Sequence, residues 1–494
     1  MSRRIHTIYI NFTGGIISPG HLHETLQLAA AAGVTDVRLG LRQQLLMDIP
    51  ASHFKQFSEQ CEQQGIAFHE QETAKPNITS SYPGAGIFIT DGWLSEGVYK
   101  DVFDLFDYTP ALKINICDSR QTFAPLFTGH INWVAAAHAH YWHLFIRLPG
   151  TDQLLPWPEL VYTNHIARVS RCIEALLQNG ITDVNNLHVQ TKNKLEYTGR
   201  PGAELALPPF YLPYYEGFNR YQNGYWLGIY RRDEKFPLSF LQELCAICLE
   251  TRTGQLYATS WKTIIIKNID PAHRHLWDYV LGKYRINVRH AANELNWQVE
   301  DNSEDGLILK RHIIRHFDVA DVRTYGLCFS IRMQGTTGHF GSVVIRRQES
   351  KYSSKLKYLQ RYDILYTPGF NPNTATLLLY REEVAKEHLG PYLVSLCKEF
   401  YEQGSATNAL QAFVSSRQAT IAAPLPDKKV HQCRQCLSVY DETLGEPAQD
   451  IAPGTPFESL PPHFGCALCG APASCFKEIS EKELGVAASS ATPR

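Results

Sequence analysis

Cys433-Arg-Gln-Cys436 and Cys466-Ala-Leu-Cys469 are the residues whose types and spacing most directly imply chemistry. Two C-x-x-C pairs, separated by the twenty-nine residues 437–465, can bring four thiolates to one tetrahedral point. Tetrahedral sulfur coordination selects iron or zinc. Zinc ribbons space their pairs more closely as a rule, which favours iron. Cys475 lies six residues past Cys469, too far along to belong to the second pair. Cys245-Ala-Ile-Cys248 has the same local spacing, but it sits in an apolar helical stripe and reads as buried core thiols. His138 and His140 share a face if their stretch is a strand, with His130 and His143 nearby, and His312 and His316 share one if theirs is a helix. No carboxylate or cysteine set accompanies either group, so both read as ordinary polar side chains.

The elements that must position these cysteines belong to a long chain. At 494 residues it exceeds one hydrophobic core, and about three domains or more are expected. A net charge of −2 gives no general case for nucleic acid or membrane binding. The sequence has no apolar run long enough to span a bilayer and no export signal at its start, so reduced thiols and a cytoplasmic home are expected. Charge is unevenly shared. Residues 431–480 carry −4, which leaves about +2 for residues 1–430 by difference.

Hydrophobic periodicity over residues 6–69 gives strand, helix, two strands, helix, strand. The order recurs from Gly224 through Tyr279, about 215 residues later. The body therefore reads as two similar halves. Each is a small α/β unit (1–75 and 215–300) followed by a larger mixed domain (76–214 and 301–410). Residues 411–430, with Pro424 and Pro426, read as a linker, and 481–494 as a disordered tail.

Between and beyond the cysteine pairs stand Tyr440-Asp441, Gly445-Glu446-Pro447, Pro453-Gly454-Thr455, Phe457, Leu460-Pro461, Phe464, Gly470 and Phe476. This pattern resembles a rubredoxin across residues 431–480. The resemblance implies one redox-active iron on Cys433, Cys436, Cys466 and Cys469. Leu437 stands where rubredoxins prefer a left-handed backbone, usually glycine.

The body resembles sirohaem-dependent nitrite and sulfite reductases. Val37-Arg38-Leu39-Gly40-Leu41-Arg42-Gln43 is similar to that family's R-x-T-x-R-Q strand, and Leu256 to Lys262 holds the same place in the second half. Asn77 to Gly86, Lys113 to Asp118, and Thr128 to Trp133 resemble further family segments in the same order. The implied fold is α+β: two tandem ferredoxin-like plus mixed α/β reductase-type halves, followed by a small metal-bound rubredoxin-like domain. If sirohaem binds, the resemblance assigns its carboxylates to Arg38, Arg42, Gln43 and Lys113.

The departures change the functional expectation. A [4Fe–4S] cluster needs four thiolates in the second half, where residues 301–430 hold Cys328 and Cys397 alone. Family arginines are replaced by Asn11 and Pro76, and both arginines of the second-half strand by Tyr257 and Trp261. Fold alone does not carry activity. The expected protein is an electron carrier with one iron in its four-cysteine rubredoxin site, tethered to a non-catalytic reductase-like body and meeting a redox partner protein. The alternatives are an active sirohaem-dependent nitrite or sulfite reductase fed by the rubredoxin, and a zinc-stabilised assembly protein without redox chemistry.

Overall fold

The computed structural model describes residues 5–71, 75–89, 92–202, 204–290, 292–334, 338, 340–349, 360–374, 376–402, 429–446 and 449–480. The expected linker falls outside these residues apart from Lys429 and Val430, and the expected tail 481–494 lies wholly outside them. The chain divides into two units, Met1–Phe400 and Tyr401–Arg494.

The larger unit opens with β1 (Ile5–Asn11), β2 (Ile16–Ile17), α1 (Pro19–Ala31), β3 (Asp36–Leu39), β4 (Gln44–Pro50), α2 (Ala51–Gln63) and β5 (His69–Glu70). Pro19 starts α1 because its fixed φ suits a first helical turn, and Gly33 ends it with φ of 81°. Next come β6 (Ile78–Ser80), α3 (Glu96–Asp104), β7 (Ile114–Cys117), β8 (Ile131–Ala135) and β9 (Tyr141–Arg147). β10 (Leu154–Pro156), β11 (Leu160–Tyr162), α4 (Ile166–Gln178), α5 (Val184–Lys194) and β12 (Gly199–Arg200) complete the first half.

The second half repeats the plan. It begins with β13 (Gly217–Tyr221), β14 (Gly224–Ile229), β15 (Lys235–Pro237), α6 (Leu238–Glu250), β16 (Leu256–Ala258), β17 (Ile264–Ile269) and α7 (Arg274–Lys283). α8 (Ala292–Leu295), β18 (Trp297–Val299), α9 (Glu304–Val319), β19 (Phe329–Arg332), β20 (Val343–Arg347), β21 (Arg361–Tyr366) and β22 (Leu378–Ala385) follow. In two of the sheets a pair of parallel pairings leads into an antiparallel one: β6-β7-β8 then β9, and β18-β19-β20 then β21. β7, β8 and β19 are buried along their whole length, the run expected of strands covered on both faces.

The two small α/β units exchange strands. β15, from the second half, adds to the first-half sheet in the order β15-β3-β4-β1-β5. β2, from the first half, adds to the second-half sheet in the order β13-β14-β17-β16-β2. Phe236 sits opposite Val37, and Ile16 opposite Tyr257. With α1 packed on α6, Ile8, Leu26, Met47, Phe236, Leu244, Ile266 and Trp277 share one core. Residues 1–75 and 215–300 are thus interlocked rather than merely adjacent. His138 and His140 occupy the turn between β8 and β9 rather than a strand, with His140 at φ 63°.

The smaller unit has a three-stranded sheet, with β23 (Lys429–Cys433) between β24 (Val439–Tyr440) and β25 (Phe476–Ser480). Tyr440, Ile451 and Phe464 form its core with Phe457 and Phe476 against them. His431 stacks on Phe457 with ring centres 4.0 Å apart. So few apolar side chains cannot stabilise a domain of this size unaided. Among the described residues, no helix is long and apolar enough to cross a membrane.

Phe236 is fully buried at the exchanged strand. Phe236→Ala should destabilise the larger unit by about 3–5 kcal/mol, the usual cost of truncating a buried aromatic ring. Chemical denaturation should show the two small α/β units unfolding together in that variant, at lower denaturant than in the wild type.

Candidate metal centre

The two cysteine pairs are built by the same turn. Cys433 N donates to Ser438 O at 2.8 Å, and Leu437 N donates to Cys433 O at 2.9 Å. Cys466 N donates to Ala471 O at 2.7 Å, and Gly470 N to Cys466 O at 2.8 Å. The turns need a left-handed residue at Leu437 and Gly470, which have φ of 62° and 73°. Glycine adopts this freely, whereas Leu437 is strained by roughly 1–2 kcal/mol. A residue that is strained yet exposed is held there by the turn around it.

Facing each other, the turns bring all four Sγ atoms within 4.8 Å of one another. Cys433 and Cys469 Sγ are 3.7 Å apart, and Cys436 and Cys466 Sγ 3.4 Å. Sulfurs about 2.3 Å from one ion would form a tetrahedron with edges of about 3.8 Å. The donor set fits a single thiophilic ion. Burial opposes ionisation of Cys466, but the Ser438 hydroxyl and the amides of Cys469 and Leu468 outweigh it and bring the thiol down to about 6. The Ala471 amide favours the Cys469 thiolate, yet lost solvation beside the other three sulfurs, and those sulfurs themselves, push it up to about 12. Four thiolates this close therefore require a cation. Cys433 and Cys466 are buried and Cys469 is exposed, with Leu437 64% and Leu468 74% exposed around it. Cys475 stands outside the set, and its carbonyl accepts from Arg434 N at 2.9 Å.

The four residues suggested for a tetrapyrrole are not brought together as a set. Arg38 pairs with Asp48 through two hydrogen bonds of 2.8 and 2.9 Å, and borders a cavity of about 410 Å³ with Asp233, Glu234 and Lys262. Gln43 is 1% exposed, and its amide bonds both the N–H and the carbonyl of Ser80. Arg42 donates to the carbonyls of Asn77 and Ile114 and to Asn115 Oδ1. Arg42 and Lys113 do share a second cavity, of about 420 Å³, with His130, Glu300, Asp301 and Arg332. Burial, then Arg42, Arg147 and Arg332, bring Lys113 down to about 8; burial, Arg147, Lys113 and Arg42 take His130 to about 3. The guanidinium groups of Arg38 and Arg42 are engaged within the protein, so as placed they fit a carboxylate-rich macrocycle poorly.

The second half preserves the same turn with other side chains. Gln43 N donates to Gly40 O at 2.9 Å and Lys262 N to Thr259 O at 3.1 Å, with φ of 57° and 56°. Trp261, at the place of Arg42, donates its indole N–H to Phe123 O at 2.6 Å. Lys262 is buried against Glu234 and Asp301 at 2.6 and 3.2 Å. Cys328 and Cys397 are separately buried, and burial pushes each up to about 12. Cys245 lies on the core face of α6, pushed up likewise to about 12. Among the described residues, Cys433, Cys436, Cys466 and Cys469 are the one group of three or more that could hold an ion. Sequence spacing did not point to Ser438, Asp301 or Arg332.

Comparison with known proteins agrees with this division. The family model described as Rubredoxin matches residues 430–476. A probable rubredoxin of Methanothermobacter thermautotrophicus is 43% identical over 61 residues, 12% of this chain and 97% of that protein. Probable Rubredoxin-2 of Methanocaldococcus jannaschii is 51% identical over 49 residues, 10% of this chain and 87% of that protein. For the high molecular weight rubredoxin of Moorella thermoacetica the figures are 36% over 78 residues, 16% of this chain and a third (33%) of that protein. The NirA protein of Mycobacterium tuberculosis superposes with a TM-score of 0.58 over 79% of this chain and 80% of that one, at 12% identity, which is a likeness of fold. Through its C-terminal domain the chain belongs to the rubredoxin family, and its body has a nitrite/sulfite reductase-like fold.

Proposed function

We propose that this protein is a one-electron carrier, with one iron held by Cys433, Cys436, Cys466 and Cys469 and a body that is not itself a reductase. The convergence of four Sγ atoms within 4.8 Å carries the reading. Bound iron supplies a one-electron couple, and the chain does the rest. Two turns fix the sulfurs, Phe476 packs beside them and against Phe457 and Phe464, and the exposed Cys469 edge gives a partner its closest approach. The partner is a redox protein whose docking face complements the apolar Leu437 and Leu468 and the −4 charge of residues 431–480. The setting is a reductive pathway such as nitrite assimilation, in the cytoplasm.

The internal engagement of Arg38 and Arg42 supports a scaffold role for the body. The second reading, an active sirohaem-dependent nitrite or sulfite reductase fed by the rubredoxin, draws on one observation. Lys113, Arg42 and Arg332 still crowd one cavity and would attract an anion. The third, a zinc-stabilised assembly protein, draws on the same four sulfurs.

An absorption spectrum with metal analysis of the purified chain separates the three. One iron per chain and iron–thiolate bands without a sirohaem band are expected. A sirohaem band would overturn the carrier reading, and zinc without iron–thiolate absorbance would overturn both redox readings. Cys466→Ser should abolish reversible one-electron reduction and unfold residues 431–480 at lower temperature, while the circular dichroism of the larger unit stays intact. Retained redox activity in that variant would show the ligand set to be wrong.

A further inference from the structure

The side chain of Ser438 is not a ligand, yet it lies between the two cysteine pairs. Its Oγ is 2.8 Å from Cys466 Sγ and 3.2 Å from Cys436 Sγ, so it touches one sulfur of each pair. Its position is fixed from both sides. The Ser438 carbonyl accepts from Cys433 N at 2.8 Å, and the left-handed Leu437 immediately before it turns the chain. β24 begins at the next residue, where Val439 pairs with Gln432. Ser438 is half-buried, which limits competition from water for its hydroxyl. A hydroxyl has one hydrogen to donate, and a thiolate can only accept it. The shorter distance selects Cys466, toward which the amides of Leu468 and Cys469 are also directed.

We propose that Ser438 is a positioning residue whose hydroxyl donates to the Cys466 sulfur and raises the reduction potential of the centre. The inference rests on the carrier reading. Gain of one electron from a donor protein leaves the four-sulfur set one charge more negative, with no bond broken and no proton taken up. A hydrogen bond to sulfur stabilises that more negative state further. Backbone amides do this too, but every residue except proline supplies one. The Ser438 hydroxyl is a side-chain donor, so substitution can remove it while the turn remains. Threonine keeps the hydroxyl and suits the first position before a strand.

The test is a redox titration of the full iron-loaded chain, followed by absorbance, for wild type, Ser438→Ala and Ser438→Thr. At a fixed solution potential, S438A should lower the reduced-to-oxidised ratio about tenfold, equivalent to about 59 mV for a one-electron couple. S438T should return the ratio to within about twofold of wild type. Unchanged potential in S438A, or equal shifts in S438A and S438T, would overturn the proposal. The same three chains loaded with cobalt(II) give a second readout that needs no electron transfer. Thiolate-to-cobalt bands should move in S438A and return in S438T. If the chain takes zinc and shows no couple, the carrier reading falls. The cobalt spectra still decide whether Ser438 donates to sulfur: bands unmoved in S438A overturn it, and bands that move and are rescued uphold the contact.

Discussion

The larger unit is joined at one half-buried guanidinium. Arg42 sits in the turn between β3 and β4, and a charge drawn partly out of water is costly unless its donors are met. The carbonyls of Asn77 and Ile114 and the side chain of Asn115 meet it. Around it, Asn77 Nδ2 donates to the carbonyls of Phe12, Arg42 and Gln43, and Leu41 N donates to Asp301. One four-residue turn thereby joins the first small sheet to β6 and β7, and to the segment that follows β18. Arg42, Gln43 and Asn77 act together as an internal joint between these sheets.

The smaller unit solves a different problem with the same kind of device. Four thiolates repel, and a core of a few aromatic rings cannot oppose that repulsion. Duplicated turns hold the sulfurs at tetrahedral spacing, and the strain at Leu437 shows that the geometry outranks the preference of an individual residue. The iron-binding geometry and the stability of the domain are therefore one property. Cys469, Leu437 and Leu468 are exposed members of the two turns.

Much of this was legible in the sequence. The ligand spacing and the main helices and strands of the two small α/β units follow from local patterns, but β2, β13 and β15 do not, and the left-handed position of Leu437 came from the rubredoxin resemblance. The repeat proved deeper than its side chains, since Gln43 and Lys262 share a turn, a hydrogen bond and a φ while differing in chemistry. What was not legible is long-range pairing. Nothing near Phe236 says that it lies opposite Val37, because a three-residue strand carries no record of its partner. The engagement of Arg38 by Asp48 follows from the β3–β4 register, and the reach of Ser438 to Cys466 from the facing of two turns. Periodicity reports none of these.

The strand exchange has a consequence for how the protein is made. β3 is complete only when β15 reaches it, almost two hundred residues later in synthesis. Until then a nascent chain leaving the ribosome exposes an open sheet edge beside Val37 and Leu39, which invites pairing with other chains. The first half therefore cannot mature as it emerges and must wait, partly ordered, for the second. Because β2 in turn completes the second-half sheet, neither half finishes its sheet without the other.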